Sequence, residues 1–169
     1  MPLPVVPTES ADERQHRTII STVLNELVKQ YPQHGSWTAV VRGSGTAGTY
    51  EIATQRCRYT RIGRRVFLDV GIIFAGAITG GGTGDLNITG APYSKAANTL
   101  PIGSVRLSGI DMVTTGASVI LTFNSLGSAV STLQINETVD NAAPNTVQIS
   151  GVAANDQIFG SICYETDDP

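Results

Sequence analysis

The sequence predicts a mainly β fold, an antiparallel β-sandwich or jelly roll preceded by one N-terminal α-helix, and three observations carry that expectation. From Ser36 onward apolar residues recur with period two, the spacing of a strand with one buried face. Turn-forming clusters interrupt the alternation every ~8 to 14 residues, as in all-β domains. No helical segment alternates with the strands, which excludes a doubly wound α/β sheet. Composition agrees: the 169 residues are 41% hydrophobic but only 15% charged, and 18 of them are glycine. A chain of this length can bury a core of its own, and a net charge of -3 with abundant Val, Ile and Thr excludes a disordered tail or a coiled-coil rod.

The elements follow in order. Pro2, Pro4 and Pro7 fix three φ angles and remove three backbone donors, so residues 1–9 read as an extended proline-rich anchor. Ser10 with Glu13 forms a capping-box pattern that opens an amphipathic helical stalk over residues 10–32. Ile20, Val23, Leu24, Leu27 and Tyr31 recur at helical spacing, Arg17, Asn25, Glu26 and Lys29 occupy the other faces, and Pro32 and Gly35 end the helix. Its apolar stripe needs a cover, and two covers satisfy it: the chain's own domain, or copies of the helix around an axis.

Residues 36–169 form the β region. Trp37, Ala39 and Val41 alternate with Thr38, Val40 and Arg42; Tyr50 and Ile52 with Glu51 and Ala53; Cys57 and Tyr59 with Arg56, Arg58 and Thr60. The longest run sets Val66, Leu68, Val70, Ile72 and Phe74 on one face. Its other face, Phe67, Asp69, Gly71 and Ile73, is half apolar, so a central strand buried on both sides is expected. Further strands are read at Leu86 and Ile88, Val105 and Leu107, Val119 to Phe123, Leu133 and Ile135, Val147 and Ile149, and Ile158 to Tyr164.

No motif for chemistry survives inspection. Gly43 to Gly48 matches G-x-G-x-x-G, but the next residues read as a strand instead of the helix a dinucleotide site needs, so a hairpin loop is expected. His16 and His34 stand apart from any nucleophile, and two His with two Cys this scattered make no zinc site; Cys57 and Cys163 are expected to be reduced and packed. No pair of carboxylates is singled out for glycoside cleavage, and Asp167-Asp168 reads as a solvated tail. Neither a catalytic residue nor a metal or cofactor is expected. The triplets at Asn87 and Asn136 match the glycosylation pattern, which carries little where no export signal is read at the N-terminus. No apolar run reaches the ~18 to 20 residues of a membrane span, so no membrane insertion is expected.

Charge is unevenly distributed. Residues 1–65 hold nine Lys and Arg against five Asp and Glu, and residues 66–169 hold two against nine. Arg56, Arg58, Arg61, Arg64 and Arg65 form a basic cluster, which in a chain of pI near 5.2 is expected to pair with the acidic second half of the same or a neighbouring subunit, not with nucleic acid.

The segment from Trp37 to Tyr93 resembles a known family. It runs through Ser36-Trp37-Thr38, a Gly/Thr loop, Gly48-Thr49-Tyr50 and Tyr59-Thr60-Arg61-Ile62-Gly63-Arg64-Arg65-Val66. It then continues to Gly84-Asp85-Leu86-Asn87-Ile88-Thr89-Gly90-Ala91-Pro92-Tyr93. This order is similar to that of the β-sandwich domain of tailed-bacteriophage virion appendage proteins: tail fibres, head fibres and decoration proteins. Ala91, Tyr93 and Cys57 depart from the family's usual Leu, Phe and Gly. The resemblance implies a homotrimer, with Ile20, Val23, Leu24, Leu27 and Tyr31 as trimer contacts. It also implies a virion location, with Pro2, Leu3, Pro4, Val5, Val6 and Pro7 anchoring the trimer to capsid or tail proteins. On that basis the chain is expected to be a non-enzymatic knob, a head fibre, decoration protein or short tail-fibre tip, with host cell-surface glycan as a further partner. A carbohydrate-binding receptor-recognition protein is the alternative. A depolymerase acting between subunits is a third reading.

Overall fold

A computed structural model describes residues 10–75, 81–112, 117–123, 131–138 and 143–168. The anchor Pro2, Leu3, Pro4, Val5, Val6 and Pro7 lies outside the described residues. The chain opens with one helix, α1 (Ala11–Gln30), capped as the sequence expects. The Ser10 hydroxyl accepts the Glu13 N–H at 3.2 Å while the Glu13 carboxylate accepts the Ser10 N–H at 2.9 Å, so two of the orphan amides of the first turn are satisfied reciprocally.

Eleven strands follow among the described residues: β1 (Gln33–Ser36), β2 (Val40–Gly43), β3 (Ile52–Gln55), β4 (Arg58–Ile62), β5 (Arg65–Phe74), β6 (Leu86–Thr89), β7 (Gly103–Ser108), β8 (Ser118–Phe123), β9 (Leu133–Thr138), β10 (Asn145–Thr146) and β11 (Gln157–Glu165). They form one curled antiparallel sheet in the order β1-β4-β5-β11-β7-β8-β9-β6-β2, with β3 beside the far half of β5 and β10 beside β9. The two ends of this order are halves of a single segment, because only Trp37, Thr38 and Ala39 separate β1 from β2. Trp37 and Ala39 are buried at that corner, and the Gln55 amide holds Ala39 at two points, accepting its N–H at 3.2 Å and donating to its carbonyl at 2.7 Å.

The inner face is the core. Val66, Leu68, Val70, Ile72 and Phe74 of β5 meet Ile158, Ile162 and Tyr164 of β11, Leu121 and Phe123 of β8, Leu133 and Ile135 of β9, and Leu86 and Ile88 of β6. Period-two alternation identified each of these strands correctly. The sheet is mainly β with one N-terminal helix, as expected.

Several local expectations are corrected. Strand β1 begins at Gln33, before Ser36, because backbone pairing with β4 holds a polar stretch that has no apolar period. Segments 40–43 and 52–55 do not pair as a hairpin: β2 pairs β6 and β3 pairs β5. The Gly43 to Gly48 loop folds instead onto Thr83, with Gly45 N–H donating to the Thr83 carbonyl at 2.9 Å and Thr83 N–H to the Thr46 carbonyl at 3.1 Å. The outer face of β5 is covered only along its second half: Phe67 and Asp69 are exposed, whereas Gly71 is buried and Ile73 half-buried where β3 runs alongside. Val147 and Ile149 are buried as expected, but the strand ends at Thr146 and Ile149 opens a 3₁₀ turn over Ile149–Gly151. Asn87 is buried within β6, which removes it as a glycan acceptor.

Candidate functional site

Two features stand out where the helix meets the sheet. The first is the helix itself. Every helix side chain that the structure describes is exposed. Ile20, Val23, Leu24, Leu27 and Tyr31, the five stripe residues, retain between 46% and 69% of their accessible surface. A satisfied amphipathic helix would bury that face, so among the described residues the stripe has no cover. Of the two covers that the sequence allowed, packing on its own domain is absent among the described residues.

The second is a joint at the base of the helix, built by the arginines of β4 and the end of the chain. The tight turn Gly63-Arg64 joins β4 to β5, with Gly63 at φ +58°, and sets Arg61 and Arg64 close together on the approach to the helix. Arg61 is buried. Its Nε donates to the Gly63 carbonyl at 2.7 Å, one terminal nitrogen donates to the Asp168 carbonyl at 2.6 Å, and the guanidinium lies 4.7 Å from the centre of the Tyr93 ring. Stacking on a ring while feeding carbonyls is what a planar cation does well and an ammonium does poorly.

The terminal segment is latched, not a solvated tail as the sequence suggested. Arg64 pairs with the Asp167 carboxylate and donates to the Thr166 carbonyl at 3.1 Å. The Asp168 carboxylate accepts the Ser94 N–H at 3.0 Å, and that of Asp167 accepts the Ala97 N–H at 3.3 Å. Acidic residues some hundred positions downstream thus close over the basic turn, and Arg65 faces Glu165 at 3.6 Å. The expected pairing of the basic cluster with the acidic half therefore occurs within one chain for Arg64 and Arg65.

Tyrosines complete the joint. Tyr93 donates to the Gln33 side chain at 3.3 Å and meets Tyr59 edge to face at 5.5 Å. Tyr164 donates to the Tyr93 carbonyl at 2.8 Å. Burial, then the Asp168 carboxylate and Tyr93, push the Tyr164 phenol well above its ordinary value of 10.0. Tyr31, Gln33, Arg61, Arg64 and the two aspartates line a cleft of about 550 Å³ at the foot of the helix. Its cationic groups are already engaged by carbonyls and carboxylates, so the cleft reads as a mechanical joint.

Elsewhere the chemistry is sparse. Among the described residues no three His, Cys, Asp or Glu side chains gather closely enough to hold a metal ion, and no helix is long and apolar enough to cross a membrane. Asp156 is buried, and its carboxylate closes a turn by accepting the Ala153 N–H at 2.6 Å. Cys57 is buried and free, and burial pushes its thiol up. Cys163 is also free but exposed on the outer face of β11, contrary to the expectation that both would be packed. The residues that form the latch were not legible one by one, because its partners lie some hundred positions apart in the sequence. The one signal was the opposite charge of the two ends.

The fold is similar to part of the Dettilon tailspike protein (gp208), known from a crystal structure. The TM-score is 0.58 at 13% identity, over 80% of this chain and 24% of the tailspike chain. This chain thus spans about a quarter of the length of the protein it matches. No protein-family model matches the sequence, and no curated protein does.

Proposed function

We propose that this protein is a bacteriophage virion structural component: a trimeric, non-enzymatic jelly-roll knob attached to the tail or capsid through its N-terminal segment. The observation that carries the reading is the uncovered helix stripe leading directly into a curled sheet. Three copies of Ile20, Val23, Leu24 and Leu27 bury one another around an axis, as in a short coiled coil. The fold likeness to a portion of a tailspike supports a place on the tail. The charge deficit supports an assembly in which surface becomes interface, since interface cores are depleted in charge.

In this reading the joint at Arg61 and Tyr93 fixes the stalk to the knob, and the segment Pro2 to Pro7 is what attaches the trimer to a particle protein. Leu24→Asp with Leu27→Asp should convert the trimer to monomer in sedimentation velocity; an unchanged mass overturns the stalk. Deleting residues 2–8 should leave a folded trimer that no longer copurifies with particles. Labelling the protein in imaged virions separates tail from capsid.

A receptor-binding role is the second reading, favoured by the exposed rings of Phe67 and Phe159, which offer surfaces for a sugar to stack on. A glycan array tests it. A reducing-sugar release assay separates binding from cleavage, and release above background would overturn the non-enzymatic assignment.

A further inference from the structure

Cross-strand register draws a polar track over the face of the sheet that points away from the core. Ser36 of β1 lies opposite Arg58 of β4, Arg58 opposite Asp69 of β5, Asp69 opposite Ser161 of β11, and Ser161 opposite Ser104 of β7. Five neighbouring strands thus carry one unbroken row, ~19 Å long at ~4.8 Å per strand. All five residues are exposed. Two depressions lie along the row and share Asp69: one of about 480 Å³ lined by His34, Arg58 and Thr60, the other of about 410 Å³ lined by Phe67, Ser104 and Ser161. Side chains return to this face two residues away on either side, so the row is flanked by Phe67 along one border and Phe159 along the other. Phe67 is 45% exposed and Phe159 39%. Phe159 and the stem of Arg56 close over Gly71, where a Cβ would sit 3.6 Å from the ring and 3.5 Å from the Arg56 Cβ. Arg106 stands opposite Phe159 on the next strand, which puts a cation on each side of the ring.

We propose that this track binds an acidic polysaccharide, one whose repeating unit carries a uronic-acid carboxylate. The proposal rests on the receptor-binding reading above and names the chemical class of the receptor and the residues that take it. Charge selects the acidic class. Within the basic cluster, Arg61 is engaged by a carbonyl and the Tyr93 ring, and Arg64 and Arg65 by carboxylates of the same chain. The side chains of Arg56 and Arg106 make no hydrogen bond or ion pair among the described residues. Arg58 and Asp69 offset each other across the strands, so Arg56 and Arg106 supply the surplus positive charge of this face. A guanidinium grips a carboxylate through two parallel N–H donors. Asp69 and the two serines of β7 and β11 offer acceptors and donors for sugar hydroxyls, and the rings of Phe67 and Phe159 offer apolar faces for the C–H side of a pyranose. A carboxylate fits this face better than a phosphate, because Asp69 in the middle of the track repels the denser charge more. The topology excludes an added peptide strand: β5 and β11, which carry the centre of the track, are each paired on both sides, so neither has an open main-chain edge.

The test uses the full chain on an array of bacterial polysaccharides: alginate, hyaluronate and colanic acid, each beside its carboxyl-reduced neutral form, with dextran and a phosphate-bearing teichoic acid. At least one uronate polymer should bind, its carboxyl-reduced form about tenfold or more weakly, and binding should fall as salt rises from ~50 to ~500 mM. Arg56→Gln and Arg106→Gln should each weaken binding about tenfold through the loss of one charge-assisted pair, with circular dichroism and sedimentation velocity unchanged. Phe159→Ala should weaken it as well. Arg42→Gln removes the same charge from β2, at the other end of the strand order, and should leave binding as it is. Equal weakening by Arg42→Gln overturns the track in favour of diffuse attraction. Tighter binding of the teichoic acid than of any uronate, or equal binding of the neutral forms, overturns the uronate class and leaves the receptor-binding reading standing. Failure to bind any saccharide overturns both. A lower sedimentation mass of Arg56→Gln or Arg106→Gln assigns these arginines to a neighbouring subunit and overturns the proposal.

Discussion

Tyr164 shows how much one side chain does in this fold. It is buried, packs edge to face with Phe123 at 4.7 Å, and donates its hydroxyl to Tyr93, which in turn carries the guanidinium of Arg61. Its phenol is held neutral in the folded chain and ionises near its ordinary value of 10.0 when unfolded. The unfolded state therefore loses the proton first as pH rises. The stability that Tyr164 contributes is complete below about pH 10 and declines above it. Denaturant titrations across that range should show the decline, and Tyr164→Phe should flatten it at a cost of about 1 kcal/mol at neutral pH from the lost hydrogen bond. In the core, Leu68 is fully buried, so Leu68→Ala should cost about 3 kcal/mol by transfer and cavity terms, read as a lower denaturation midpoint. Single residues were legible in the sequence when their burial followed from alternation, as for Leu68. Arg61 was not: a buried arginine is defined by the carbonyls and the ring around it, and those come from residues 63, 93 and 168.

Elements divide in the same way. The helix was legible because its start is a local chemical event. Ser10→Ala removes half of the capping box and should lower helix content by circular dichroism, at a cost of about 1 kcal/mol, without touching the sheet. Strands β5, β8, β9 and β11 were legible because each presents one apolar face. Strand β1 was not, since Gln33-His34-Gly35-Ser36 carries no period and is a strand only because β4 pairs with it. The outer face of β5 misled in the opposite direction. Phe67 and Ile73 made it look buried, and the structure leaves Phe67 in the open. An apolar pattern reports that a face is to be covered and says nothing of whether its own chain or a neighbour covers it.

At the scale of the whole molecule, low charge and unpaired apolar faces point the same way. The described residues close one core and leave two apolar surfaces, the helix stripe and the outer sheet face, with no cover among them. If the helix stripes meet in the assembly, oligomerisation and stability are linked by mass action, and the unfolding midpoint should rise with protein concentration. A midpoint independent of concentration would mark the single chain as stable alone. The opposed charges of the two halves, expected to meet within one subunit or between neighbours, are partly neutralised within the chain by the latch of residues 166–168 on Arg61 and Arg64.

The segment from Gln33 to Gly43 lends the molecule a mechanical character. It emerges directly from the stalk, laces to β4 along its first half and to β6 along its second, and so touches both ends of the strand order. In the proposed assembly, a pull through the helix reaches the chain at β1 and passes along this segment to β2, so it is borne first by the pairings with β4 and β6. One continuous segment thus ties both borders of the sheet to the same helix.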